Sequence, residues 1–324
     1  MSDLTGYPSP EERDAVSARL AGSGRGEVVR LGESVEGRAI LAVRLPAPRP
    51  GAPRILCAAN LHGLEYAGVH VAHAFLEAAA GGALAALRER AEVWVAPSLN
   101  PDGYARTWEQ GGQGGLAALR TNARGVDLNR NFPLPEGARP SRLPGAGAGH
   151  AGAATYRGPA PLSEPETRAL DALLGGVSFH ALASLHSTMG TFIPARVTDR
   201  PTFAAYRALW SAFAAAQRVR YRPLHHRVLD VFTGELEDHA HHHHRTWATC
   251  VEVYPLWVDV LPRLRAPSLF WRFNPRRPEV WAANDVPALA AYFLAALARP
   301  RPGATGPRPA SNTGPRPASN GAPS

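Results

Sequence analysis

The stretch RILCAANLHGLEYAGVHVAHAFLEAAA, residues 54–80, decides the fold. Its first six residues, Arg54–Ala59, form an apolar run without alternation, the pattern of a strand buried on both faces. From Tyr66 to about Ala79 the apolar residues recur at helical spacing. Between them lies Asn60-Leu61-His62-Gly63-Leu64-Glu65. Working outward, the patterning predicts strands at Glu27–Leu31, Ala39–Leu45, Glu92–Ala96, Phe179–Leu185 and Thr246–Val251. It predicts helices from Ser163-Glu164-Pro165-Glu166 to about Leu174, over Pro201–Gln217 and over Asp285–Ala298. Strands alternating with helices imply an α/β fold, a central sheet covered by helices on both faces.

The chain has 324 residues, 45% of them hydrophobic, ample for one large core. Residues 1–25 read as an N-terminal helical segment. Ser9 suits the N-cap, Pro10 the first helical position, Glu12 completes a capping box and Gly22 can end the helix. Residues 26–299 read as the main domain. Within it, residues 98–161 are rich in glycine and proline and read as a long functional loop. After Arg299 the chain repeats TGPRPASN, at Thr305–Asn312 and Thr313–Asn320. This Pro/Ser/Gly-rich tail, residues 300–324, is expected to be disordered.

The net charge is +8, and all 35 basic residues are arginine. No nucleic-acid motif accompanies them, and the densest run, Arg263 to Arg277, is broken by proline and aromatic residues. No nucleic-acid partner is expected. Cys57 and Cys250 lie in apolar runs and make no disulfide framework. The N-terminus lacks the apolar core of a signal peptide, and no apolar run reads as long enough to span a membrane. No membrane partner and a cytoplasmic location are expected.

Three residues stand out as metal ligands. His62 and Glu65 are three apart, so one turn of chain carries both to one side. His186 follows the strand expected to end at Leu185. Ligands bind beyond the C-terminal strand ends of open α/β sheets, where these loops gather. Two histidines and a glutamate, with one position left open, form a catalytic zinc set. Glu252 lies in the apolar run Cys250-Val251-Glu252-Val253, where an unpaired buried carboxylate is costly. His239 and His241–His244 form a cluster read as a solvated loop, with loose metal binding or protonation gating as alternatives.

The chain resembles the M14 family of zinc carboxypeptidases. NLHGLEYAG (60–68), PSLNPDGY (97–104), RTNARGVDLNRNFP (120–133), YRGPAPLSEPET (156–167), SLHSTMG (184–190) and TCVEVYP (249–255) occur in the family's order. The resemblance implies a mixed sheet flanked by helices and one zinc ion per chain on His62, Glu65 and His186. It implies that Asp127 orients His62, that Asn129 and Arg130 hold the substrate's terminal carboxylate, and that Arg120 stabilises the oxyanion. Glu252 resembles the general base. The family usually carries a substrate-capping tyrosine about twenty residues before that base. Here the stretch is Leu229–Glu235, without tyrosine, and Phe232 is the expected occupant, lacking the hydroxyl.

Glu235, Glu237 and Asp238 lie where the family builds its specificity pocket, so one of them is expected to meet a basic group on the terminal residue. The implied activity is hydrolysis of a C-terminal peptide or amide bond in a peptide or murein-peptide substrate with a free carboxylate. Three alternatives stand beside it. They are a murein peptide amidase cleaving before diaminopimelate, an N-acyl amino acid deacylase, and a non-catalytic zinc- or peptide-binding module.

Overall fold

The computed structural model describes residues 4–225 and 233–303. Among these residues the strands are β1 Glu27–Glu33, β2 Ala39–Leu45, β3 Arg54–Ala59, β4 Glu92–Ser98, β5 Ala181–Ser187, β6 Thr191–Pro194, β7 Arg222–Pro223 and β8 Trp247–Val253. They form one sheet in the order β1-β2-β4-β3-β5-β8-β6-β7. The inner strands β4, β3, β5 and β8 run parallel. β1 and β2 join antiparallel on one side, and β6 joins antiparallel on the other. The sheet is therefore mixed, as expected.

Alternation along the inner strands builds two cores. Ile55 and Cys57 of β3 face one cluster with the helices Tyr66–Ala80, Arg200–Ala215 and Pro278–Leu297. Leu56 and Ala58, the intervening residues, face a second cluster with Leu170 and Leu174 of the helix Pro165–Val177 and Leu236 of the helix Leu236–His242. A strand buried on both faces has to be apolar at successive positions, and β3 is.

The ends of the elements depart from the apolar pattern. β5 and β8 continue two residues beyond the expected Leu185 and Val251, because the backbone ladder continues through His186↔Glu252 and Ser187↔Val253. His186 thus lies inside its strand, not after it. Polarity ended the hydropathy signal while main-chain pairing went on. Residues 98–161 hold more structure than a loop, including the helix Pro101–Glu109, capped by Asn100 with proline at its start. The N-terminal helix Pro10–Ser23 forms the capping box between Ser9 and Glu12 and is closed by Gly24, not Gly22. The helix at Pro165 has Glu164 at its N-cap position, and the Ser163 side chain makes no capping bond there; its hydroxyl donates to Glu164 Oε1 at 2.7 Å instead.

The last helix corrects one expectation. Pro278–Leu297 starts seven residues earlier than predicted, and its 20 residues are long and apolar enough to cross a membrane by length and composition. It packs in the core through Trp281, Leu289, Tyr292 and Phe293. It also buries Asp285, which accepts hydrogen bonds from Gln217 Nε2, Asn284 Nδ2 and Tyr221 Oη at 2.8, 2.9 and 2.8 Å. Burial pushes the Asp285 carboxyl up to about 7, against those three donors. A carboxyl whose folded pKa is raised binds its proton more tightly when folded. Its stabilisation is complete below the unfolded value near 4 and is lost as pH rises through about 7. Urea unfolding is expected to show stability falling by a few kcal/mol between pH 5 and pH 8, and Asp285→Asn should flatten that fall. An unchanged slope in the variant would exclude Asp285 as its source.

Candidate active site and metal centre

The chain leaves β3 to form β4 on one side, and β5 lies on the other. Strand order reverses at β3 and opens a crevice at its C-terminal end. Asn60, the first residue beyond β3, has a φ of 62°. Its side-chain amide donates to His62 O and Gly63 O at 2.8 and 3.3 Å, and its Oδ1 accepts from Ser98 Oγ at 2.7 Å. Gly63 is needed because a Cβ there would lie 2.4 Å from the backbone of Gly103. The loop is thus folded tightly enough to aim His62 and Glu65 into the crevice.

His62 Nδ1 lies 2.9 Å from Glu65 Oε1, His186 Nδ1 lies 2.9 Å from Glu65 Oε2, and the two ring nitrogens are 3.0 Å apart. All three residues are buried. The far nitrogens are engaged elsewhere, His62 Nε2 with Asp127 Oδ1 at 3.0 Å and His186 Nε2 with Ser184 Oγ at 3.1 Å. With the ring protons on those far nitrogens, two imidazole lone pairs and a carboxylate converge on one point. That donor set repels itself unless a cation lies among them, and it matches a three-ligand zinc site with oriented histidines. Glu65 occupies the N-cap position of Tyr66–Ala80 yet makes no capping bond. Its oxygens face the histidines instead. Burial would raise its carboxyl, but His62 and His186 hold it well below the usual carboxylate range.

Asp127 links the centre to Arg120. Its Oδ2 accepts from Arg120 Nε at 2.8 Å, and its Oδ1 also accepts from the Asn129 backbone N–H at 3.0 Å. Arg120 and His62 keep this buried carboxyl far below its ordinary value despite desolvation. Arg120 Nη1 lies 3.9 Å from Glu65 Oε1, which places the guanidinium at the edge of the metal centre. Glu252 pairs in the ladder directly with His186. β8 lies between β5 and β6, so Glu252 is on an interior strand. Its Oε2 has no hydrogen-bond partner among the described residues, and burial and then the Glu65 charge push its carboxyl up to about 8.

The 3-10 turn Leu128–Arg130 presents Asn129 and Arg130, both buried. Asn129 Oδ1 accepts from Leu236 N at 2.9 Å and so caps the helix Leu236–His242. That helix separates the three candidate acids. Glu235 lies 3.6 Å from Arg130 Nη1. Asp238 Oδ1 accepts from the Arg196 backbone N–H at 2.6 Å, away from the turn. Glu237 is buried, and neither of its oxygens makes a well-formed hydrogen bond among the described residues. Its carboxylate lies with His186 and Cys250 in a group whose ligand atoms are all within 4.8 Å of one another. Burial pushes it up to about 7, Asp238 adding to this and Arg130 opposing it. Phe232, the expected occupant of the capping place, lies outside the described residues.

The histidine cluster is not the solvated loop that its polarity suggested. His239 and His241 are 3% and 8% exposed, because the helix turns them inward. Sequence reasoning also passed over Ser184, the partner of His186. The signal was available, since residues two apart on a strand share a face.

Comparison with known proteins agrees with this geometry. A family model described as zinc carboxypeptidase, peptidase M14, matches residues 18–254. Carboxypeptidase D from Homo sapiens is 33% identical over 156 residues, covering 37% of this chain, which spans only 11% of that protein's length. The crystal structure of a carboxypeptidase A from Helicoverpa armigera gives a TM-score of 0.72 at 20% identity, covering 90% of this chain and 74% of that one. A murein-tripeptide amidase from Escherichia coli O157 gives a TM-score of 0.50 at 20% identity, covering 83% and 91%. At these identities the solved structures speak to the fold alone, whereas the family model spans most of the chain, residues 18–254, with the site inside those bounds. The chain belongs to the zinc carboxypeptidase family, M14.

Proposed function

We propose that this protein hydrolyses the last peptide or amide bond of substrates that carry a free terminal carboxylate and a basic terminal group. One observation carries the reading. A single crevice brings together three converging metal donors, a carboxyl with raised proton affinity on the neighbouring strand, and an asparagine–arginine pair.

A zinc ion held by His62, Glu65 and His186 would supply Lewis acidity toward the scissile carbonyl. Asn129 and Arg130 bind and orient the terminal carboxylate, for which the guanidinium fork is suited. Glu252 takes the proton of the attacking water and passes it to the departing nitrogen. Arg120, at the edge of the centre, donates to the oxygen that gains charge. Glu237 receives an ammonium or guanidinium from the terminal side chain.

The murein-peptide reading has its own support. A cavity of about 260 Å³ beside Arg130 is also lined by Arg157 and Thr233. Diaminopimelate carries an ammonium and a second carboxylate on its side chain. Glu237 suits the first and Arg157 the second.

A panel of peptides differing only in the last residue tests both readings, with zinc content measured on the same sample. Faster release of lysine, arginine or diaminopimelate than of leucine or phenylalanine is expected. Equal or faster release of the apolar ends would overturn the basic preference. No release from a zinc-loaded sample would overturn hydrolysis and favour a binding module.

A further inference from the structure

The helix Leu236–His242 points Glu237 toward the crevice and turns His239, with His244 just beyond its end, toward a different element. His239 Nε2 lies 2.7 Å from Asp171 Oδ1, and His244 Nε2 lies 2.8 Å from the same oxygen. The two ring nitrogens are 3.2 Å apart. Asp171 belongs to the helix Pro165–Val177, so the cluster bridges two helices. His239 is buried, whereas His244 and Asp171 are 15% and 33% exposed, leaving one side open to solvent.

The geometry points to a second divalent transition-metal site, with Asp171, His239 and His244 as ligands and its open side left for water. Bonds of about 2.0–2.1 Å at tetrahedral angles set donor atoms about 3.3 Å apart. The two ring nitrogens meet that spacing, and the carboxylate oxygen needs to retreat by about half an ångström. The His62–Glu65–His186 centre, at 2.9–3.0 Å, needs a similar widening. Two imidazoles and a carboxylate suit zinc, cobalt or nickel better than calcium or magnesium, which take oxygen ligands.

The neighbouring histidines do not blur the site. His241 Nδ1 lies 2.8 Å from Tyr206 Oη, His242 Nε2 lies 2.8 Å from Arg196 O, and His243 Nε2 lies 3.3 Å from Leu134 O. His239 itself is tied only through Nε2, since its Nδ1 has no partner among the described residues. A metal here would bolt the helix that bears Glu237, and that is capped by Asn129, to Pro165–Val177.

The test is a count of metal on the intact protein, independent of substrate. The full chain is stripped with a chelator, titrated with zinc chloride, and read by calorimetry and elemental analysis. Wild type is expected to take two zinc ions. Asp171→Asn with His244→Asn should take one and keep its hydrolytic turnover. His242→Asn with His243→Asn, which alters only exposed histidines of the run, should still take two. Saturation of wild type at one ion would overturn the site. So would two ions in the Asp171/His244 variant, or loss of one in the His242/His243 variant.

Discussion

Glu252→Gln is expected to keep its zinc and lose turnover by about 10²–10⁴-fold. The substitution is nearly isosteric, and the residue's backbone pairings to β5 and β6 are untouched by it. Glu252 is not one of the three converging donors. What the glutamine removes is the ability to take a proton. Glu252 is well placed for that task, because it pairs in the ladder with His186 and its Oε2 is committed to no other group among the described residues. Elemental analysis and peptide release on one sample separate the outcomes. Full activity would remove Glu252 from the chemistry. Loss of zinc would make it a support of the metal centre.

Glu237→Leu should change which terminal residue is accepted. Among the three acids, Glu235 is set against Arg130 and Asp238 is bonded to the Arg196 backbone, whereas Glu237 has no well-formed hydrogen bond among the described residues. Removing one member of a buried charge pair costs about 3–5 kcal/mol, because the other is left uncompensated. For substrates ending in lysine or arginine, kcat/KM should therefore fall by about 10²–10⁴-fold, while apolar ends should gain. The apo variant should also melt at a higher temperature than wild type, since a buried carboxyl whose desolvation Arg130 only partly offsets has been removed. Glu235→Gln and Asp238→Asn serve as comparisons. An unchanged ratio of basic to apolar cleavage in Glu237→Leu would exclude that residue as the selector.

Much of the metal centre was legible in the sequence because its first half lies in a loop. His62 and Glu65 follow a strand whose apolar run ends sharply, so their position beyond the sheet could be read directly. His186 and Glu252 were harder to place. They are polar residues in strands, and hydropathy ends a strand at its last apolar residue while the ladder continues. The three acids could not be ranked because the phase of a seven-residue helix is set by what packs against it. The same helix hid His239 and His241, whose polar neighbours look like solvent-facing chain. β6 and β7, four and two residues long, are held by pairing to the sheet and leave little periodicity to read. The helix Pro278–Leu297 was truncated in the reading at Asp285, a buried acid held by tertiary partners that no local pattern reveals.

The pairing of His186 with Glu252 across β5 and β8 has a consequence for how such a protein can diversify. His186 and Glu252 are spaced by the rungs of a parallel ladder in a buried part of the sheet. Glu237, the proposed selecting acid, reaches His186 and Cys250 of that ladder from a separate element, a short helix joined to the rest through Asn129 and its histidine contacts. On the proposed roles, the reacting groups and the selecting acid are therefore carried by different elements, the ladder and the helix. On those same roles, a change of terminal-residue preference can be sought in the helix while the ladder that spaces His186 and Glu252 stays as it is.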